Sequence, residues 1–401
     1  MPSFISWIDF DDTQRKRMLE VVKLFRDRDT RDELGIGSIR DAFANYFFPG
    51  TSTIHTRARY FFFIPWIYKS LEDKYVRSSR IAVRARELEI QLIDALKKGG
   101  EEEGVIGRDV GDKLKILPSQ IYWSALSEFR IRLFNGTREQ YHRSLDSFYK
   151  RLRSSAGRDD MDEYKDNIAN WDPVLPEPPV DFLEETNFKL TTDEADYLKQ
   201  NILNRHNESL LAQFLIEGTL FESDFPWEQP IVKILTPKLQ NELEHAKNFS
   251  ESIHGAAILY NYMLSQKRNA EHMVDDYGEM LGGWKQKISS RQHQLIKWYP
   301  SVWQSDALIN GQVPLSTRTF VNRWLSIVYE NGVLDNIEND NNARQLIHNR
   351  ELRLKGTRAR LENQRALEIW GGASGYLQLR YRWGNASVIM KDIIEGQNDN
   401  V

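Results

Sequence analysis

The sequence predicts a mainly α protein of two multi-helix halves, with helix-turn-helix-like pairs and little β structure. Apolar residues recur at spacings of three and four along most of its 401 residues. Helix-stopping pairs punctuate that pattern: Pro49-Gly50, Gly99-Gly100, Asn135-Gly136 and Gly371-Gly372. Leu34 to Ile67 reads as helix, tight turn, helix, followed by an apolar and aromatic run around Phe61.

The elements follow in chain order. Met18, Leu19, Val22 and Phe25 form the apolar face of an amphipathic helix over 13–26, with Asp11 and Asp12 at its positive end. Ser38 is placed to cap a second helix that Pro49-Gly50 stops near Phe47 or Phe48. Ser52 or Thr53 can cap the next, which Pro65 is expected to kink or end. A longer helix over 76–98 turns Ile81, Leu88, Leu92 and Leu96 inward and closes at Gly99-Gly100. After an acidic, glycine-rich stretch over 101–117, Pro118-Ser119 opens a helix that should run to Asn135-Gly136. Residues 137–153 read as another, ending in a basic, serine-containing segment.

Pro173, Pro176, Pro178 and Pro179 favour an extended segment. They place an N-terminal helical domain over 1–170, a proline-rich linker over 171–190 and a C-terminal helical domain over 191–401. Thr191 and Glu194 have capping-box spacing, with Ala195, Leu198, Ile202 and Leu203 at helical spacing behind them. One long amphipathic helix covers 238–266. Another begins near Asn342 and ends at Gly371-Gly372, weakened at Gly356 by about 1 kcal/mol relative to alanine. Residues 376–394 fit either a strand pair turning at Gly384-Asn385 or a short helix. The 11 tryptophans are dispersed and read mostly as core anchors.

Composition narrows the function. The absence of cysteine removes disulfides, thiolate metal sites and cysteine nucleophiles. No apolar window is long enough for a membrane span. The first residues place acids before bases with no apolar core, unlike a secretory signal. A cytoplasmic protein that does not engage membranes is expected. The net charge of −4 is unevenly spread. Residues 51–98 carry 10 basic and 5 acidic side chains, 344–365 carry 7 and 2, and 171–342 carry 14 and 25. Local charge governs phosphate binding more than the total does.

Familiar catalytic patterns are missing. Gly104, Gly107 and Gly111 cluster, but Asp112-Lys113 follows where a phosphate loop needs Lys-Ser or Lys-Thr. There is no H-E-x-x-H and no G-x-S-x-G. Glu139 with His142, and Glu251 with His254, have the Glu-x-x-His spacing of helical di-metal sites. The first pair sits in an arginine-rich polar segment. A metal-dependent helical enzyme using Glu251 and His254 is the alternative reading, and a structural scaffold without nucleic-acid contact is another. No catalytic residue, metal ligand or cofactor is assigned.

Nucleic-acid contact has three candidate places. Arg57 and Arg59 follow the first tight turn. Leu117 to Arg132 resembles a helix-turn-helix, with Gln120 near the start of the recognition helix and Trp123 more natural in a core. The third is the arginine-dominated stretch of Arg350, Arg353, Arg358, Arg360 and Arg365, whose forks suit phosphate. A sequence cannot separate DNA from RNA here.

Several longer motifs carry a resemblance. Ser6-Trp-Ile-Asp-Phe10, the run from Ile39 to Ser52, Arg59 to Trp66, Leu117 to Trp123, His254 to Asn261 and the late W-G-G-x-S-G resemble a bacterial family whose domain has no known function. The resemblance spans nearly the whole chain and transfers no site residue. It implies a gene setting in phage-defence islands, beside helicase and phospholipase-D-type nuclease genes. The implied role is a non-catalytic adaptor of a defence or DNA-processing assembly, with such a protein as partner.

Overall fold

The structure, a computed structural model, describes residues 32–155, 169–330 and 332–398. The helix expected over 13–26 and the Ser6–Phe10 motif lie outside them. The chain is mainly helical. The helices are α1 (Gly37–Phe47), α2 (Tyr60–Asp73), α3 (Ser78–Lys98), α4 (Pro118–Glu128), α5 (Arg138–Ser155), α6 (Thr192–His206), α7 (Leu210–Glu217), α8 (Pro237–Lys267), α9 (Glu271–Trp298), α10 (Asp306–Asn310), α11 (Leu315–Tyr329), α12 (Asn341–Lys355), α13 (Gln364–Glu368) and α14 (Trp383–Asn398). Among the described residues there is no strand, and an isolated antiparallel bridge pairs Arg132 with Trp171.

Two compact units form, each from separated pieces of sequence. One takes the chain up to Phe43 together with Asn241–Leu379; the other takes Ala44–Gln240 with the chain from Arg380 onward. The proline segment is internal to the second unit. It is a strap pinned to its own unit: the Trp66 indole donates to the Pro176 carbonyl at 2.6 Å, and Thr186 N–H to the Ala95 carbonyl at 3.1 Å. At Gly99 the Thr186 carbonyl stands 1.9 Å from where a Cβ would sit, so only glycine lets the strap lie this close.

Several expected features differ from those observed, and α2 begins at Tyr60 after Arg59 with no side-chain cap from Ser52 or Thr53. Pro65 lies inside α2 and does not end it, because nearly the whole helix, from Tyr60 to Tyr68, is buried. Burying that aromatic run outweighs a proline penalty of about 3 kcal/mol. The helix opened by Pro118 stops at Glu128, and Arg130 turns left-handed with φ 57°. Gly356, at φ 53° and ψ −127°, terminates α12 outright. Residues 383–398 are helix, the second of the two forms weighed for that stretch.

In the second unit, α2 packs on α3 and α4, α3 on α5, and α14 on α6 and α7. Its core is aromatic: Phe61 meets Tyr122 edge-on at 5.1 Å, and Trp123 meets Trp171 at 5.9 Å and 88°. Two carboxylates there are paired. Glu72 accepts from the Tyr141 hydroxyl, the Asn170 amide and the Trp171 indole. Glu89, fully buried, accepts the Ser119 N–H and hydroxyl, each at 2.8 Å, and burial pushes its carboxyl up to about 7.

In the first unit, α11 packs against α9 and α12. The Trp284 and Trp324 indoles donate to the Glu251 and Ser252 carbonyls of α8, at 2.8 and 2.9 Å. Gly255 lies under the Trp284 ring, 2.3 Å from where a Cβ would sit. Gly255→Ala should therefore destabilise the protein by about 1–3 kcal/mol through overpacking, read by urea denaturation. A variant as stable as the parent would show that the indole shifts freely.

Candidate nucleic-acid interface

Of the arginines singled out by sequence, Arg59 and Arg350 are buried, Arg57 and Arg360 half-buried, and Arg353, Arg358 and Arg365 exposed. Arg59 is 5% exposed and sits bidentate on Glu194, Nε to Oε2 and Nη2 to Oε1 at 3.0 Å each. Its Nη1 donates to the Asn187 carbonyl at 3.0 Å. Glu194 is the carboxylate of the capping box that starts α6, accepting the Thr191 N–H while its own N–H reaches the Thr191 hydroxyl. Arg57 forks onto Asp392, Nε to both oxygens at 3.0 Å, and lies 4.7 Å over the Phe188 ring. Burial pushes the Asp392 carboxyl up, and Arg57 partly offsets it.

In the first unit, Arg350 is buried and donates to the carbonyls of Leu34, Gly35 and Ser316 and to the Thr317 hydroxyl. Arg360 pairs with Glu33 at 3.0 Å. Gln120 turns back to accept the Leu117 N–H at 2.8 Å, so it caps α4, where a recognition helix would aim it at bases. Trp123 is core, its indole donating to the Gly136 carbonyl at 3.0 Å. These forks and amides are spent on holding the fold. Arg353, Arg358 and Arg365 are exposed, with no ion pair among the described residues.

The Glu-x-x-His pairs are equally committed. Glu251 is held by Arg291 and by Lys287 at 3.3 Å. His254 Nε2 meets the Tyr376 carbonyl at 2.9 Å, and burial pulls its pKa to about 4. His142 meets the Tyr68 hydroxyl at 3.1 Å, away from the exposed Glu139. Among the described residues, no group of three His, Asp or Glu is arranged to hold a metal ion.

A different surface of the second unit collects cations. The start of α3 meets the middle of α5: Ser78 N–H donates to Asp146 Oδ1 at 3.1 Å, and Asp146 N–H to the Ser78 hydroxyl at 3.0 Å. The Tyr149 hydroxyl donates to the Val76 carbonyl at 3.1 Å. Around this contact Lys74, Arg77 and Arg80 are exposed on one chain segment, and Arg143, Lys150 and Arg153 on one face of α5. Among the described residues Asp73, Asp146 and, one turn before Arg143, the exposed Glu139 are the carboxylates interspersed with them, and Asp146 is already accepting from Ser78.

Within that surface the α2 terminus has an unusual end. Tyr75 N–H donates to the Glu72 carbonyl and Val76 N–H to the Leu71 carbonyl, a Schellman cap with Tyr75 left-handed at φ 50°. Glycine ordinarily takes that place; a tyrosine there costs about 1–2 kcal/mol. The residue is 51% exposed, its ring packed on Tyr149 at 5.2 Å with the Arg153 guanidinium 5.4 Å over its face. Sequence reasoning did not single out Lys74, Tyr75, Lys150 or Arg153. The charge excess over 51–98 and the basic end of 137–153 were legible; their meeting in space was not.

Among the described residues these features define an all-helical protein with buried ion pairs and a cationic surface carrying an exposed tyrosine. The chain belongs to a family of unknown function, DUF6361, whose model matches residues 2–396. No curated protein and no solved structure matches it. No helix among the described residues is long and apolar enough to cross a membrane.

Proposed function

We propose that this protein is a non-catalytic nucleic-acid-binding adaptor that works with a protein partner. One observation carries the reading: Lys74, Arg77, Arg80, Arg143, Lys150 and Arg153 gather around the Ser78–Asp146 contact, exposed and, among the described residues, with few carboxylates between them. Lysine and arginine so grouped neutralise backbone phosphates without reading sequence. Arg353, Arg358 and Arg365 supply a second exposed set on the first unit. The commitment of Glu251 and His254 to internal partners supports a binding role over metal chemistry. On this reading the protein serves a bacterial antiviral or DNA-processing assembly, with a helicase or nuclease as partner.

The test is fluorescence anisotropy with labelled DNA and RNA across a salt series. The triple variant Arg77→Glu, Arg80→Glu, Lys150→Glu should lose at least about tenfold in affinity at low salt, with a shallower dependence on salt. Equal affinity in parent and variant would overturn the assignment of this surface. No binding of either polymer at low salt would overturn the reading itself.

A further inference from the structure

Resting on that reading, we infer that the surface takes single-stranded nucleic acid, with Tyr75 as the platform on which one base stacks. The αL cap at position 75 would be less strained as glycine. The tyrosine there carries a ring packed on Tyr149, itself 3% exposed, while the Tyr75 residue as a whole stays 51% exposed. Arg153 lies over the ring in this structure, so a base stacking on that face displaces its guanidinium toward a flanking phosphate, where the neighbouring exposed Lys74 and Arg77 also stand. Aromatic rings set in a cationic surface are how proteins grip single strands without sequence preference, since every base has a π face. In a duplex the bases are stacked on one another, so the ring would add little and the cations alone would act.

The decisive variant is Tyr75→Gly, which suits the left-handed cap and removes the ring. Thermal melting checks that it folds, with a midpoint at or above the parent's expected. Anisotropy is then read with a labelled single strand of roughly 15 nucleotides and with the matching duplex. The parent should favour the single strand. Tyr75→Gly should lose about tenfold on the single strand and stay within twofold on the duplex, while Tyr75→Phe keeps the parent affinity for both. If Tyr75→Gly binds the single strand as the parent does, the stacking inference fails and the charge reading survives. If the parent binds neither form, the proposed function fails with it. Binding to anionic lipid vesicles, with no binding to either nucleic acid, would reassign the surface to membranes and overturn both.

Discussion

Replacing Arg59 with methionine should destabilise the second unit by about 3–5 kcal/mol, among the largest effects available to a single substitution in this chain. The cause is the uncompensated charge left behind. Glu194 is 2% exposed, and its carboxylate accepts two guanidinium N–H groups and the Thr191 N–H. Without Arg59 the buried carboxylate keeps only the Thr191 N–H as a partner, and its negative charge is left without a counter-charge in a water-poor site. Glu194→Gln should cost less alone, because the amide oxygen can still accept from Thr191. The double variant Arg59→Met, Glu194→Gln should recover part of the loss, since no buried charge remains unpaired. Urea unfolding of the parent, both single variants and the double variant measures this. Strictly additive losses would mean that the two side chains are not coupled. The same experiment bears on function: Arg59→Met should bind nucleic acid as the parent does at temperatures where it is folded.

The helices were legible wherever one local rule acted alone. The helix ending at Phe47, the helix closed by Gly99-Gly100 and the box of Thr191 with Glu194 each depend on residues within a few positions, and each formed where expected, although Asp32 and not Ser38 accepts the N–H groups that open the first of them. The elements that differed depended on distant burial. Pro65 forbids a helix locally, yet α2 persists because its aromatic faces are packed by residues such as Tyr122 and Phe188, far along the chain. The left-handed turn at Arg130 precedes the bridge between Arg132 and Trp171, a pairing no local window contains.

The candidate site was less legible, for a related reason. Charge can be counted in sequence, but the state of a guanidinium is set by its partner. Arg57 and Arg59 find theirs at Asp392 and Glu194, more than 130 residues away. Arg350 finds carbonyls and a hydroxyl, with Leu34 more than 300 residues off. An arginine cluster therefore signalled a surface where the chain had built a core. The exposed cations lie where two segments of moderate charge, the lead-in to α3 and helix α5, come together through Ser78 and Asp146.

Acidification from pH 6.5 to 4.5 should lower stability steeply, and the sign follows from the histidines. Burial holds His55, His142 and His254 near 4, against 6.5 in the unfolded chain, and shifts His206 and His245 the same way. Between those values the unfolded chain binds more protons than the folded one, so falling pH favours unfolding. For His55 and His254 the full shift corresponds to about 3 kcal/mol each at completion near pH 4. Glu89 opposes this. Burial pushes its carboxyl up to about 7, so between 4.5 and 7 the folded state holds the extra proton and that term favours the fold as pH falls. Glu72 and Asp392 are raised by burial and act in the same sense as Glu89. The histidines prevail because more of them titrate across this window. Chemical denaturation at pH intervals from 7.5 to 4.5 measures the slope. His254→Gln, which keeps an amide donor for the Tyr376 carbonyl and removes a titrating ring, should flatten it; Glu89→Gln should steepen it, because the opposing carboxyl is gone. A stability that is level or rising as pH falls through 6 would mean that these rings are hydrated in solution.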